Sequence, residues 1–533
     1  MHPFVPAPAK LSRRRRGRPG SGVTRFCAAL FGAMACAGLA ACAVGPDYHP
    51  PEPAMPENFV AAPPSQAQRP AADHRVVDTA GWWRALHDRE LDSLIDRAIA
   101  ASPTLEIALD RLQQARAQEE VVIGAALPRA EASEGGGRGT GSDLARGRAS
   151  QTLVSAENGA GLNQVNNIAG FDAAWEIDLF GKFRRQIEAA QYDVEAAVAA
   201  RNAVLISVIA DVTRAYLDVR ALQMQLAVLR KNIQVAQQYV DFVQERYHRG
   251  ITNELDVTLA QRELAQLQSQ RMPLIAQINA ARYVIAVLLG EFPENLGKEL
   301  ARPGMIPALP GRIRAGLPID LLRRRPDIAE AERQLASATA LIGVATADLF
   351  PQVAVTGGVG QQAQGLGVTP LVISPIWSVG PAVAAPLLDF GRLDAVVDKA
   401  DFRTRELLFN YKQTVLNAVR EVDTAIDAYA AQQDRLRHLA DALAAARRAL
   451  SLATERFDRG LTDSLNVIDA QRQEYELEQQ YISAQDSAAA QFVTLYKSLG
   501  GGWEDYQFFP PIPPPLPAVA AAFKRLLMPD AAP

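Results

Sequence analysis

The sequence predicts a mixed α/β membrane protein. Long α-helices and four short β-strands come from two internal repeats, and the strands close into a barrel only when several copies of the chain combine. Three observations carry this reading. Lys182 to Arg249 runs 68 residues without Gly or Pro, enough for a helix of roughly 100 Å. A second stretch of the same kind, Arg392 to Arg459, lies 210 residues further on. Ahead of each, between a Pro stop and the long helix, the hydrophobic period changes from 3.6 to 2.

Taken in order, the chain opens with basic residues through Arg25 and a short apolar run, Phe26 to Ala40, the layout of a secretory signal over 1–41. The signal ends at Leu39-Ala40-Ala41-Cys42, which has the form of a bacterial lipobox with Cys42 as the lipid-bearing residue; ordinary cleavage after Ala41 is the alternative. Residues 42–80 are rich in Pro and Ala without periodicity and read as a lipidated tether. The first repeat, 81–300, begins with Trp82-Trp83, a helix from Leu86 to Ala100, and a second from Thr104 to Leu127 that Pro128 stops. The second repeat, 301–502, has the counterparts 223 residues on, at Pro326 for Pro103 and Pro351 for Pro128. The segment 503–533 is Pro-rich and reads as a disordered tail.

Each repeat then supplies two strands. Phe171, Ala173, Trp175, Ile177 and Leu179 alternate with polar or small residues, as do Trp377, Val379, Pro381, Val383, Ala385 and Leu387; their partners begin at Arg129 and Gln352. The alternation predicts strands of about ten residues, the length that crosses a bilayer when tilted. Gly135 to Asn167 and Gln361 to Pro375 read as the loops that join them. Four strands cannot close a barrel, and an open edge in hydrocarbon costs several kcal/mol per unpaired group. Two copies give eight strands and a filled interior, three give twelve and a lumen.

Each long helix carries an apolar seam in alternating threes and fours, from Leu205 to Tyr247 and from Val415 to Phe457. Each ends at a turn, Arg249-Gly250-Ile251-Thr252 or Arg459-Gly460-Leu461-Thr462, before a return helix. Pro273 predicts a kink in the first return helix and nothing of the kind stands in the second.

Composition excludes several classes. Seven of the 55 basic residues precede Cys42 and no acidic residue does, so the remainder carries about −11 and does not suit nucleic acid. The three cysteines, Cys27, Cys36 and Cys42, leave the rest of the chain without a disulfide or a thiolate metal site. No nucleophile elbow, phosphate loop or spaced histidine pair is present, so neither an enzyme nor a cofactor is expected. After the signal no run of about 18 apolar residues predicts a transmembrane helix.

Several segments together resemble one family. They are Cys42-Ala43-Val44-Gly45-Pro46-Asp47-Tyr48, Trp82-Trp83, Leu321-Leu322-Arg323-Arg324-Arg325-Pro326-Asp327-Ile328, Leu349-Phe350-Pro351, Leu388-Asp389-Phe390-Gly391, Glu245-Arg246-Tyr247 and Asp469-Ala470-Gln471-Arg472. The chain resembles a TolC-type outer-membrane efflux protein, of the lipoprotein branch that serves resistance-nodulation-division (RND) pumps. The resemblance implies a homotrimer with a 12-stranded transmembrane β-barrel in the outer-membrane lipid, continued by a helical barrel in the periplasm. It implies a periplasmic adaptor (membrane fusion) protein and an inner-membrane RND pump as partners, and a passive duct for small molecules. A type I protein-secretion duct and a non-channel periplasmic coiled-coil lipoprotein are the competing readings; the second leaves four strands without a purpose.

The resemblance also places a gate. Asp469 matches an acidic constriction residue of the family, with Leu465 one turn before it and Arg472 three residues after, while Asn466 stands at the family's second acidic position. The alternative is an ordinary exposed Asp469–Arg472 helix pair. The counterparts in the first repeat are Leu259 for Asp469 and Asp256 for Asn466. The adaptor-docking tips comprise Arg246, Gly250 and Thr252 in one hairpin and Arg456, Gly460 and Thr462 in the other, although Glu245-Arg246 and Glu455-Arg456 also suit the plain ending of a helix. Trp175 and Trp377 read either as a membrane belt or as barrel packing.

Overall fold

The computed structural model describes residues 43–56, 58–61, 79–140, 163–297, 299–311, 318–366, 372–459, 461–462 and 464–506. The signal segment, Cys42, Gly460, the centre of the first expected loop and residues 507–533 lie outside that set. The elements run α1 (Arg89–Ala101), α2 (Pro103–Ala125), β1 (Arg129–Thr140), β2 (Asn163–Ile177), α3 (Lys182–His248), α4 (Glu254–Ser269), α5 (Arg271–Leu288), α6 (Leu321–Arg324), α7 (Pro326–Ala347), β3 (Gln352–Leu366), β4 (Val372–Ala384), α8 (Arg392–Asp458) and α9 (Ser464–Ser498). They form two compact units, and each unit draws on both repeats. One comprises Pro128–Arg185 and Gly343–Leu393 with the described end of Met1–Gly45; the other holds the remaining helices.

The strand unit is one antiparallel sheet in the order β1-β2-β3-β4. Its strands are 12, 15, 15 and 13 residues long rather than about ten. The extra residues, such as Asn163 to Asn167 and Gln361 to Leu366, are Gly-, Asn- and Gln-rich and carry no hydrophobic alternation. They are held as strand by backbone pairing, Gln164 with Leu366 and Asn167 with Ala363. The loops expected at Gly135–Asn167 and Gln361–Pro375 are correspondingly shorter.

Direct cross-strand partners share a face. One row therefore reads Ala132, Phe171, Val359, Trp377, and the next rows on that face read Ala130, Ala173, Gly357, Val379 and then Trp175, Val355, Pro381. The opposite face carries Glu131, Asp172, Gly358 and Ser378 in one row. Ser133 donates a hydrogen bond of 3.1 Å to the Asp172 carboxylate. Over these rows the sheet has an apolar face and a polar face, the apolar one giving way to Glu134, Ala169, Gln361 and Pro375 in the row beyond Phe171, and on it Phe171, Val359, Trp377, Val379 and Val383 are 59–76% exposed.

Just after Cys42 the chain is fastened to this unit. The Val44 N–H donates to the Phe180 carbonyl at 3.1 Å, and Arg185 donates to the Val44 and Gly45 carbonyls at 3.3 and 3.4 Å. Gly45 has φ +94 and comes so close to Gly343 that a Cβ on it would lie 2.4 Å from the Gly343 Cα, so only glycine fits there. This backbone crossing accounts for the glycine in Ala43-Val44-Gly45-Pro46.

In the helical unit the first helix starts later than Leu86. Trp82–Leu86 is a 3-10 turn, His87 takes a left-handed conformation, and α1 begins after Asp88, whose side chain accepts from the Glu90 and Leu91 N–H groups. Trp82 and Trp83 anchor the main core with Leu91, Leu94, Leu205, Val212, Tyr216 and Phe492. Trp82 stacks on Tyr496 with ring centroids 5.2 Å apart. A second core gathers Phe59, Leu321, Ile328, Tyr411, Val415, Val422 and Leu495. Contrary to the reading from hydrophobic runs, α3 contains an 18-residue window of mean hydropathy 1.5, and 61% of that window is buried within the protein. Its composition reflects packing among helices on several sides.

The predicted kink is present as a break. Gln270 separates α4 from α5, because Pro273 has no N–H to offer the Ser269 carbonyl. The counterpart α9 is continuous over 35 residues. Pro326 likewise separates α6 from α7 and holds Arg325 in an extended conformation. The buried Arg325 guanidinium then donates to Asp327 at 2.6 Å, to Glu421 at 2.9 Å and to the Ser498 carbonyl at 3.1 Å. One residue of the Arg-Arg-Arg-Pro-Asp segment therefore ties α7, α8 and the end of α9 together.

Candidate functional site

The hairpin tips follow from local capping chemistry. In the first, Gly250 takes φ +72 and the Ile251 N–H reaches the Arg246 carbonyl at 2.9 Å, closing α3. Asn253 caps α4 by accepting from the Asp256 N–H at 3.0 Å, and the Thr252 hydroxyl bonds the Asp256 carboxylate. In the second, the Leu461 N–H reaches the Arg456 carbonyl at 2.9 Å and the Asn466 amide donates to the Thr462 hydroxyl at 2.7 Å. The two tips thus share a bracket of residue i to i+4, with an acid closing it in one and an amide in the other. Glu245 with Arg249, and Glu455 with Arg459, pair at corresponding places.

Arg246 does something the sequence did not disclose. Its guanidinium lies 5.6 Å from the Phe242 ring and 5.4 Å from the Phe457 ring, and the two rings meet edge to face at 6.0 Å. It therefore joins the end of α3 to the end of α8. Phe242 and Phe457 lie 215 residues apart, so only the fold brings them together. Arg456, Gly250 and Ile251 are exposed, and Thr252 and Thr462 are half-buried.

On α9 the candidate gate residues fall on one stripe. Leu465, Asp469, Arg472 and Glu476 recur at four, three and four residues, while Val467 between them is buried. Arg472 donates to the Asp469 carboxylate at 2.9 Å and lies 3.8 Å from Glu476; Asp469 and Arg472 are 59% and 47% exposed. Asn466, one residue along from Leu465, is engaged by Thr462. Glu476 is a member of this stripe that sequence reasoning missed, and its spacing was the available signal.

Further along, three charged groups meet between α3 and α9. Arg214 pairs with Asp218 and, at 3.2 Å, with Asp486. Burial pushes the Asp218 carboxyl up to about 6; Arg214 opposes the rise and Asp486 adds to it. The tyrosine hydroxyl of Tyr475 donates to Gln270 at 2.9 Å, linking α9 to the break between α4 and α5. Among the described residues no group of three or more His, Cys, Asp or Glu side chains is placed to hold a metal ion. Trp175 and Trp377 share the apolar face of the sheet in rows four residues apart, about 13 Å at the usual strand rise.

An outer membrane efflux protein model matches residues 94–291 and 317–501, covering both repeats. The chain belongs to the outer membrane efflux protein family. Among relatives, it is 31% identical over 455 residues to the pyoverdine export outer membrane protein OpmQ of Pseudomonas aeruginosa, covering 85% of this chain and 94% of that one. It is 29% identical over 470 residues to nodulation protein T of Rhizobium leguminosarum bv. viciae, covering 87% and 92%. Among solved structures, the outer-membrane channel OprN superposes with a TM-score of 0.74 at 33% identity, covering 87% of this chain and 100% of that chain. The family and its structural neighbours are channel proteins rather than enzymes.

Proposed function

We propose that the protein is the outer-membrane exit channel of a tripartite RND-type efflux pump, working as a homotrimer and as a passive duct for small molecules. The observation that carries the reading is the four-stranded sheet with one apolar and one polar face, which fits a one-third share of a twelve-stranded transmembrane barrel and not the surface of a soluble spacer. Three copies supply twelve strands and enclose a lumen. Cys42 carries the lipid, and the fastening of Val44 and Gly45 to the strand unit supports an anchor just ahead of them in the chain. The helices extend into the periplasm.

In this reading the exposed stripe of Leu465, Asp469 and Arg472 faces the axis near the tip, where three copies give an acidic ring partly neutralised by Arg472. Asn466 in place of a second acid makes the ring weaker. The tips, including Arg456 and the turns at Gly250 and Gly460, receive the periplasmic adaptor. Arg246 acts there chiefly by holding the two hairpins together through Phe242 and Phe457. Deletion of the gene tests the proposal. It is expected to raise sensitivity to some members of a broad panel of toxic compounds and to be complemented by the intact chain; unchanged sensitivity across the panel, with no adaptor or pump genes nearby, would overturn it.

A further inference from the structure

A recess lies where α9 ends and α7 begins, between the two long helices that run past the break. Its volume is about 490 Å³, the size of a small-molecule pocket, and α3, α7, α8 and α9 all line it. On α3, Ala203, Ile206 and Ser207 line the recess, whereas Leu205, Ile209 and Val212 turn into the main core. On α9, Gln491, Thr494 and Lys497 line it, whereas Phe492 and Tyr496 meet the Trp82 ring. The recess therefore faces away from the Trp82-Trp83 core.

The first repeat contains the same break, built without these charges. Gly290 follows α5 with φ +70, as Gly500 follows α9 with φ +73. Each glycine is pressed against the next part of its stack: a Cβ on Gly290 would meet the Ala101 carbonyl at 2.6 Å, and one on Gly500 the Arg325 side chain at 2.7 Å. The offsets of 210 and 223 residues put Ala210, Val284, Val287 and Ser102 in the places of Arg420, Thr494, Lys497 and Arg325. Of the five charged residues that line the second break, Glu421 keeps a charged counterpart, Asp211, and the other four do not. Stacking two helices end to end thus needs no arginine or lysine at this level.

Within the recess the acids are firmly held and two of the cations are not. The buried Arg325 donates to both Asp327 oxygens, at 3.0 and 2.6 Å, and to Glu421 at 2.9 Å. Arg420 and Lys497 have long pairs, 3.7 Å to Glu421 and 3.8 Å to Asp211, and their side chains are 64% and 45% exposed. Counting Asp211, three cations meet three acids, so an anion would enter by displacing weak pairs rather than by answering a surplus of charge. The guanidinium and the ammonium both carry several N–H donors, and Ile206, Pro326 and Ala425 supply apolar surface beside them.

We propose that the recess binds amphipathic organic anions in passage, a carboxylate or sulfonate accepting from Arg420 and Lys497 while the apolar body of the molecule lies on Ile206 and Ala425. The inference rests on the channel reading, under which the side away from the Trp82-Trp83 core faces the lumen, and it goes beyond that reading by naming a substrate class and its site. Exposed cations attract weakly, which suits a duct, because a site that held its cargo tightly would block the path.

The test is binding of trifluoromethylbenzoate to the purified full-length protein in a non-ionic detergent, read from the fluorine NMR linewidth, beside the uncharged trifluoromethylbenzamide of similar shape. The intact chain is expected to bind the benzoate at least about fivefold more tightly than the benzamide. The double variant R420Q with K497Q is expected to bind the two alike. R435Q with R448Q removes two exposed cations of α8 outside the recess and is expected to keep the preference. All four positions are exposed, so folding should survive, which thermal unfolding checks. The site is overturned if the intact chain shows no preference, if the preference survives in R420Q with K497Q, or if R435Q with R448Q abolishes it equally. Conductance in planar bilayers, measured on the same preparation, separates the two claims. A conducting trimer without the preference overturns the site alone, and a chain that forms no channel overturns the duct and with it the role in passage.

Discussion

The two long helices have the same length and a shared ancestry of pattern, yet one is enclosed by its own chain and the other is not. On α3 the seam residues Leu205, Val208, Val212, Ala215 and Val219 are buried, and Ile209, Tyr216 and Leu217 beside them are buried too. On α8 the seam from Val415 to Tyr429 is buried, but Phe402, Phe409 and Leu416 form a stripe at seven-residue spacing that is 64–71% exposed. The helix α3 is surrounded by α1, the Trp82-Trp83 turn and α9, whereas α8 lies at the margin of what one chain provides. The same contrast appears in the sheet, where the β2–β3 junction is complete and the edge of β4 is open. Both features are what the proposed assembly of several copies requires.

One substitution on each long helix sharpens this contrast. Tyr216→Ala should have the largest effect on stability: it removes a fully buried ring and leaves Asp88 without its hydroxyl partner, a loss of about 3–5 kcal/mol by thermal unfolding. Phe409→Ala on α8 should change the unfolding of a single chain by less than about 0.5 kcal/mol, and its effect should appear in the detergent resistance of the assembly. Equal losses at the two sites would remove the distinction between an enclosed and a marginal helix.

A second difference lies in charge. Arg214 and Asp218 of the first copy correspond to Thr424 and Ala428 in the second. Because the Asp218 carboxyl is raised to about 6, the folded state binds a proton there more tightly than the unfolded chain does. Its contribution to stability is therefore full below about pH 4 and is lost as pH rises through about 6. With the side chain one-third exposed, solvent screening limits the change to about 1 kcal/mol. The Asp218→Asn variant should flatten the pH dependence of unfolding between those values, and an unaltered profile would assign that dependence to other groups.

At the tips the expected effects on stability are smaller. Arg246→Ala should cost about 0.5–1 kcal/mol of contact between the hairpins, read as increased proteolysis at the turns, while Arg456→Ala should not. Asp469→Ala removes an exposed pair worth a few tenths of a kcal/mol, so stability should barely move. Its effect should be on single-channel recordings, as a lower preference for cations; unchanged selectivity would leave Asp469 as a surface residue.

Much of this fold was legible in the chain because its signals are long. The absence of Gly and Pro over 68 residues set α3 and α8 to within a residue of their observed ends, and Pro273, Pro326 and Pro351 marked real interruptions. The strand ends were not legible, since Asn163 to Asn167 and Gln361 to Leu366 are held as strand by a partner 200 residues away rather than by their own pattern. The start of α1 was misplaced because His87 turns left-handed ahead of the Asp88 cap. At the candidate site, the stripe of Leu465, Asp469 and Arg472 could be read from helical spacing. The seating of Arg246 between Phe242 and Phe457, and the meeting of Arg214, Asp218 and Asp486, depend on helices from different repeats lying side by side, and no local pattern announces them.

The central claim is that several copies of this chain make one membrane channel. Reconstitution of the detergent-extracted protein into planar bilayers, with its mass measured in the same preparation, tests it most directly. The account predicts a particle of three chains that conducts ions in discrete steps; a water-soluble monomer or dimer that leaves the bilayer silent would contradict it.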